Sequence, residues 1–131
     1  MADNLTDVAE ARVLNWLTGN TTTAPTLPLS VRLMTANGSD SAAGTEVVNS
    51  GGSTYAAQTA AFPSATGTTQ TANSADLVFA NMPACTVVGL EVWDSNGTPV
   101  RYWWGPGTAN KTVNLGDTLR ILAGTLVLNM Q

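Results

Sequence analysis

The stretch VVGLEVWDSNGTPVRYWWGP, residues 87–106, holds three of the four tryptophans of the chain together with Glu91 and Arg101. VVGLEVW and PVRYWW are rich in β-branched and aromatic residues, and DSNG between them is a turn signal, so the stretch reads as a β-hairpin. A two- or four-residue loop sets Arg101 opposite Val92 and Trp103 opposite Leu90. A three-residue loop, Ser95-Asn96-Gly97 with Gly97 in the left-handed position, instead pairs Val92 with Val100, Leu90 with Tyr102 and Val88 with Trp104. Glu91 then meets Arg101, with Trp93 and Trp103 flanking that pair. A slip of one residue moves every side chain to the opposite face, so burial of the apolar set selects the three-residue loop. Tyr102 and Trp104 are therefore expected in the core. Trp93, Glu91, Arg101 and Trp103 are expected on a face at least partly wet.

Working outward, ADLVFA (75–80), CTVVGLEVW (85–93), PVRYWW (99–104), KTVNL (111–115), TLRIL (118–122) and TLVLNM (125–130) follow one another at short spacing. NMP, DSNG, GPGTAN, GD and AG separate them as turns. Upstream, LSVRLMT alternates, with Leu29, Val31, Leu33 and Thr35 on one side and Ser30, Arg32 and Met34 on the other. A short strand is expected at Thr45–Val48, and a strand of small residues at 54–62. PSATGTTQTANS reads as a surface loop. The pattern predicts a mainly β protein, an antiparallel, jelly-roll-like β-sandwich.

Residues 5–18 supply the one helix. At 100° per residue Leu5, Ala9, Val13 and Trp16 form a stripe, flanked by Val8 and Leu17, while Leu14 points away from it. Asn4 or Thr6 caps its start, and Gly19 ends it with a left-handed residue. Trp16 reads as a packing anchor. Residues 19–28, with Pro25 and Pro28, form an extended arm. The expected organisation is a helix and arm over 1–28, then a sandwich domain over 29–131.

Composition narrows the function. Charged residues make up only 11% of the chain and threonine supplies 20 residues, a neutral, β-friendly surface suited to packing against neighbours. Five Lys/Arg against nine Asp/Glu leave a net charge of −4. With no basic cluster, nucleic acid is not an expected partner. No apolar run approaches the roughly 20 residues that span a bilayer, so neither is a membrane. The opening MADNLTDVAEAR is acidic and polar and shows no secretory signal.

Catalytic chemistry is sparse. The chain has no histidine and one cysteine, which removes His-dependent nucleophilic catalysis and the common zinc sites. Cys85 reads as a small buried hydrophobe. NGSDSAAGTE (37–46) offers oxygens but lacks the acidic alternation of a calcium loop, and reads as a surface turn. No catalytic, cofactor-binding or metal-binding residue is assigned, and the chain is not expected to be an enzyme. Leu14, Trp16, Glu91, Trp93, Arg101 and Trp103 remain as interface candidates, since Trp and Arg are enriched where proteins meet. A glycan stacked on Trp93 and Trp103 is the less favoured alternative.

NLTDVAEARVLNWLTG (4–19), LMTANGSDSAAGTEV (33–47), TYAAQ (54–58), NSADLVF (73–79), VWDSNGTP (92–99) and KTVNLGDTLRILAGTLVL (111–128), taken in order, resemble small virion proteins of tailed bacteriophages. Many of these carry the label of tail-fibre proteins. The resemblance spans nearly the whole chain. It implies a virion component without catalytic residues, made in the cytoplasm of the bacterial host. A fibre shaft should show repeats or a coiled coil, and this sequence has neither. The expectation is therefore a capsid decoration (cement) protein, a homotrimer contacting the major capsid protein or other virion subunits. A tail, neck or tail-fibre component with a glycan-binding role is the alternative.

Overall fold

The computed structural model describes residues 4–130 apart from Thr66 and Thr68. Among the described residues, strands and one helix follow in the order β1 (Asn4–Leu5), α1 (Asp7–Leu17), β2 (Leu29–Ala36), β3 (Thr45–Glu46) and β4 (Gln58–Ala60). Then come β5 (Gln70–Ala72), β6 (Leu77–Phe79), β7 (Cys85–Trp93), β8 (Arg101–Val113), β9 (Leu119–Ile121) and β10 (Val127–Asn129). One antiparallel sheet runs β1-β8-β7-β2-β3, with β4 also on β2, and two short ribbons pair β5 with β10 and β6 with β9. Val31 and Leu33 of β2 and Leu90 and Val92 of β7 face Leu77 and Phe79 of β6 and Leu126 and Leu128 near β10 in one core. Each such side chain contributes about 1.5–3 kcal/mol by burial. The result is the expected β-sandwich: a broad sheet on one side and the two ribbons on the other.

The alternation read in LSVRLMT holds, since Val31 and Leu33 are buried in this core. Met34, on the opposite side of the strand, is buried as well. Strand β7 matches its expected bounds. Three other readings change. GPGTAN is not a turn: β8 runs through it, and the ladder absorbs it as a bulge. There the step from Val87 to Gly89 faces the step from Pro106 to Lys111. A bulge tolerates Pro106, which has no N–H for the ladder. Gln70–Ala72, placed in a surface loop, pairs with β10. The strand expected over 54–62 contracts to Gln58–Ala60, because Tyr55 turns inward: its ring stacks on Phe79 at 6.0 Å and its hydroxyl accepts the Leu33 N–H.

The hairpin register also differs. Trp93 lies opposite Arg101, Val92 opposite Trp103 and Glu91 opposite Trp104, with a shift between Val92 and Trp93. The connection spans residues 94–100, closed by the Asp94 N–H donating to the Val100 carbonyl at 2.9 Å. The physical reason is the Asp94 carboxylate, which takes the backbone N–H groups of Val100 (2.8 Å), Thr26 (3.2 Å) and Asn96 (3.3 Å). These bonds hold the loop wider than a three-residue turn.

Residues 4–28 make several contacts with the sheet. Leu5, expected at the start of the helix, pairs with Trp103 in the sheet. Thr6 caps α1 by accepting the Ala9 N–H, and its hydroxyl donates to the Arg101 carbonyl at 2.7 Å. The arm returns through Thr26, whose carbonyl accepts the Ser95 N–H. Gly19 ends the helical segment in the left-handed region, φ +75°.

Candidate functional site

Two places on the β7–β8 hairpin carry polar or open features. The first is the face turned away from the core. Glu91 is 1% exposed and Arg101 is 8% exposed, their side chains joined at 2.9 Å. The pair exists as the sequence suggested, but diagonally rather than directly across, and it is buried rather than wet. Its cover is the segment 37–44. Gly44 donates its N–H to Glu91 Oε1 at 2.8 Å, and Arg101 Nη2 donates to the carbonyls of Ser39 (2.6 Å) and Asp40 (3.2 Å). Glu91 Oε2 accepts the Trp93 indole N–H at 3.0 Å.

Glycines make this cover possible. A Cβ on Gly38 would lie 2.5 Å from the Ala42 carbonyl oxygen and 2.7 Å from Arg101 Nη1. The segment read as a surface turn is therefore a lid over a buried ion pair. Buried pairs hold together only when such extra hydrogen bonds complete the shell of each charge.

The tryptophans divide differently from the expectation. Trp103 lies on the core side, packed against the hydrophobic cluster, and its indole N–H is buried with no partner among the described residues. Trp104, expected in the core, is half-buried on the ion-pair face and donates to Asp40 Oδ1 at 2.7 Å. Trp93 shares that face, and the Arg32 guanidinium sits 4.3 Å from its ring centroid. Trp93 and Trp103 thus form no common stacking platform.

Further along, the helix leaves the body. Ala9 is buried and Val13 half-buried, while Arg12 lies over Tyr102 and donates to its hydroxyl. Past Val13 the helix overhangs. Leu14 is 63% exposed, Trp16 69% and Leu17 68%, so Trp16 is not the packing anchor its stripe suggested. Leu27 on the arm is exposed too. Leu14 and Trp16 were legible as contact candidates; Leu17 was read only as a flank of the stripe, because period alone does not show where the underlying sheet stops.

The second place is a 470 Å³ cleft beside the β8 bulge. Leu33, Leu90 and Leu126 form its floor, Gly107 and Thr108 one wall, and Lys111 and Arg120 part of its rim. Nothing in the sequence pattern announced it, since GPGTAN looked like an ordinary turn.

Titration behaviour fits a protein whose polar groups serve its own backbone. Burial would raise Asp94, but the N–H groups of Val100, Thr26 and Asn96 outweigh that and hold it below the usual carboxylate range. Burial pushes the Tyr55 hydroxyl well above its ordinary value and raises the Cys85 thiol, which keeps that thiol protonated at neutral pH. Among the described residues, no three His, Cys, Asp or Glu side chains gather where a metal ion could be held.

Glu91, Arg101 and Asp94 are thus turned inward, most other charged side chains stand at the surface, and apolar side chains are displayed on an overhanging helix. Over residues 4–129 the chain matches the family described as Podophage GP4 fiber I protein gp80. It belongs to that family and is a virion structural protein of a tailed bacteriophage. No curated protein matches the chain.

Proposed function

We propose that the chain is a non-catalytic subunit of the phage tail-fibre apparatus, held in place by packing against other virion subunits. The observation that carries this reading is the apolar helix end: Leu14, Trp16 and Leu17 are exposed around the last turn of a helix whose other half is fixed to the sandwich. Such an exposed apolar end costs solubility unless a partner covers it, and Trp is among the side chains enriched as anchors of protein contacts. The description of the family as a fibre protein supports the tail as its place. The buried ion pair and the sandwich core supply a stiff block that passes load without chemistry.

Capsid decoration is the second reading, with the major capsid protein as partner and a symmetric homotrimer as the assembly. It is favoured by the compactness of the chain, whose only described helix has 11 residues, too short for a coiled-coil stalk. A glycan role has less support, because Arg32 occupies one side of Trp93 and Trp103 packs inward.

Antibody labelling of intact particles, with a count of copies per particle, separates the two. A few copies at the tail support the fibre reading; hundreds over the head establish decoration instead. Leu14→Asp and Trp16→Asp variants should fold normally and be lost from particles. Normal incorporation of both would remove the helix end from the contact.

A further inference from the structure

The cleft and the helix end are complementary, and neither is satisfied within one copy. The cleft has a leucine floor and no acidic residue in its lining. Its rim carries Lys111 and Arg120, two of only five basic residues in an acidic chain. The other three are engaged: Arg12 with Tyr102, Arg32 with Trp93 and Glu46, and Arg101 with Glu91. Lys111 makes no side-chain hydrogen bond or ion pair among the described residues, and Arg120 reaches only an exposed Asp76 at 3.8 Å. The helix end has the opposite character. It displays Leu14, Trp16 and Leu17, it has no basic residue in its last turn, and the helix dipole places partial negative charge there. Trp16 is exposed, so it does not fill the cleft of its own copy.

We propose that the helix end of one copy seats in the cleft of a second copy, with the Trp16 indole on the leucine floor and Lys111 and Arg120 facing the helix C-terminus. This rests on the reading of the helix end as a contact surface and names its partner. A leucine-floored cleft of 470 Å³ falls within the size range that takes a small guest, so one aromatic side chain is a fitting occupant. Because knob and cleft are different surfaces, the contact is head-to-tail. It closes into a ring if the rotation permits, as a homotrimer would, and otherwise extends into a row.

Sedimentation velocity and native mass spectrometry of the purified full-length chain test it, using three variants. Trp16→Ala removes the knob. Thr108→Trp blocks the cleft wall and Lys111→Glu reverses its rim; all three positions are exposed, and circular dichroism checks each fold. The wild-type chain should self-associate. Each variant should weaken association, Trp16→Ala by roughly thirtyfold or more, as loss of an aromatic anchor does. An equal mixture of Trp16→Ala and Thr108→Trp should form a heterodimer, because one intact cleft and one intact knob remain. A wild-type chain that stays monomeric up to about 1 mM, the weak end of specific association, overturns the proposal. So does a mixture that forms no heterodimer, or Trp16→Ala associating as tightly as wild type. Particle incorporation is scored separately. A monomeric wild-type chain whose Trp16→Ala variant is still lost from particles rejects the second-copy partner and keeps the contact role, whereas normal incorporation rejects the contact role itself.

Discussion

The two ends of the β7–β8 hairpin solve the same problem in opposite ways. At the turn end the buried carboxylates are answered: Glu91 by Arg101, Gly44 and Trp93, and Asp94 by three backbone N–H groups. At the other end the ladder bulges, the wall of the sandwich opens, and Lys111 is left without a side-chain partner among the described residues. The difference teaches where this molecule is committed to itself and where it is open to others. A filled hydrogen-bond network fixes one conformation, whereas an unfilled apolar cleft leaves free energy to be gained from a partner.

The contrast is broken most severely at Glu91. Glu91→Ala leaves the buried Arg101 guanidinium uncompensated and should cost about 3–5 kcal/mol in urea unfolding. A cost below about 1 kcal/mol would mean that water reaches Arg101 and that the lid over 37–44 is loose.

Asp94 sharpens the comparison next. Asp94→Ala removes charge-assisted bonds to Val100, Thr26 and Asn96 and should cost about 1.5–3 kcal/mol at neutral pH. The sign of the pH dependence follows from its lowered folded-state pKa. The contribution is complete above the ordinary aspartate value of about 3.9 and is lost as the pH falls through the lower folded value. Thermal melts between neutral and strongly acidic pH should therefore show a shallower acid decline for Asp94→Ala than for wild type. Identical acid limbs would assign the decline to other carboxylates.

Gly89 probes how closely the lid sits. A Cβ there would lie 2.5 Å from the Gly105 carbonyl oxygen and would strike Asn37 Oδ1. Gly89→Ala should cost about 1–3 kcal/mol through enforced shifts in β8 and the lid. The smallest effect belongs to the open end. Lys111→Ala should change stability by no more than about 0.5 kcal/mol, as surface substitutions do, so any loss of assembly in that variant reports on contact rather than folding.

Much of the fold was legible because it rests on local period. The alternation in LSVRLMT placed Val31 and Leu33 in the core, CTVVGLEVW gave β7 its bounds, and Thr6 and Gly19 carried the helix cap and stop. The site was legible only in its cast. Glu91, Arg101 and the tryptophans were singled out, yet Trp103 and Trp104 were assigned to each other's environments, because the loop length was chosen by burying the apolar residues of the two strands, which takes no account of the Asp94 carboxylate. Asp94 takes one of its three bonds from Thr26, far away in the chain, and no window of sequence around the turn contains that partner.

The sequence by itself determined that this chain is a β-sandwich with one short capped helix, poor in charge and without histidine chemistry. Those properties follow from side-chain period, turn residues and composition, which act within a few residues of one another. Only the tertiary structure decided that the Glu91–Arg101 pair is buried, that segment 37–44 is its lid, that Trp16 overhangs and that a cleft opens beside Lys111. Each depends on where one element ends against another. Burial and hydrogen-bond completion are properties of that meeting, and the two sides of it lie tens of residues apart in the chain.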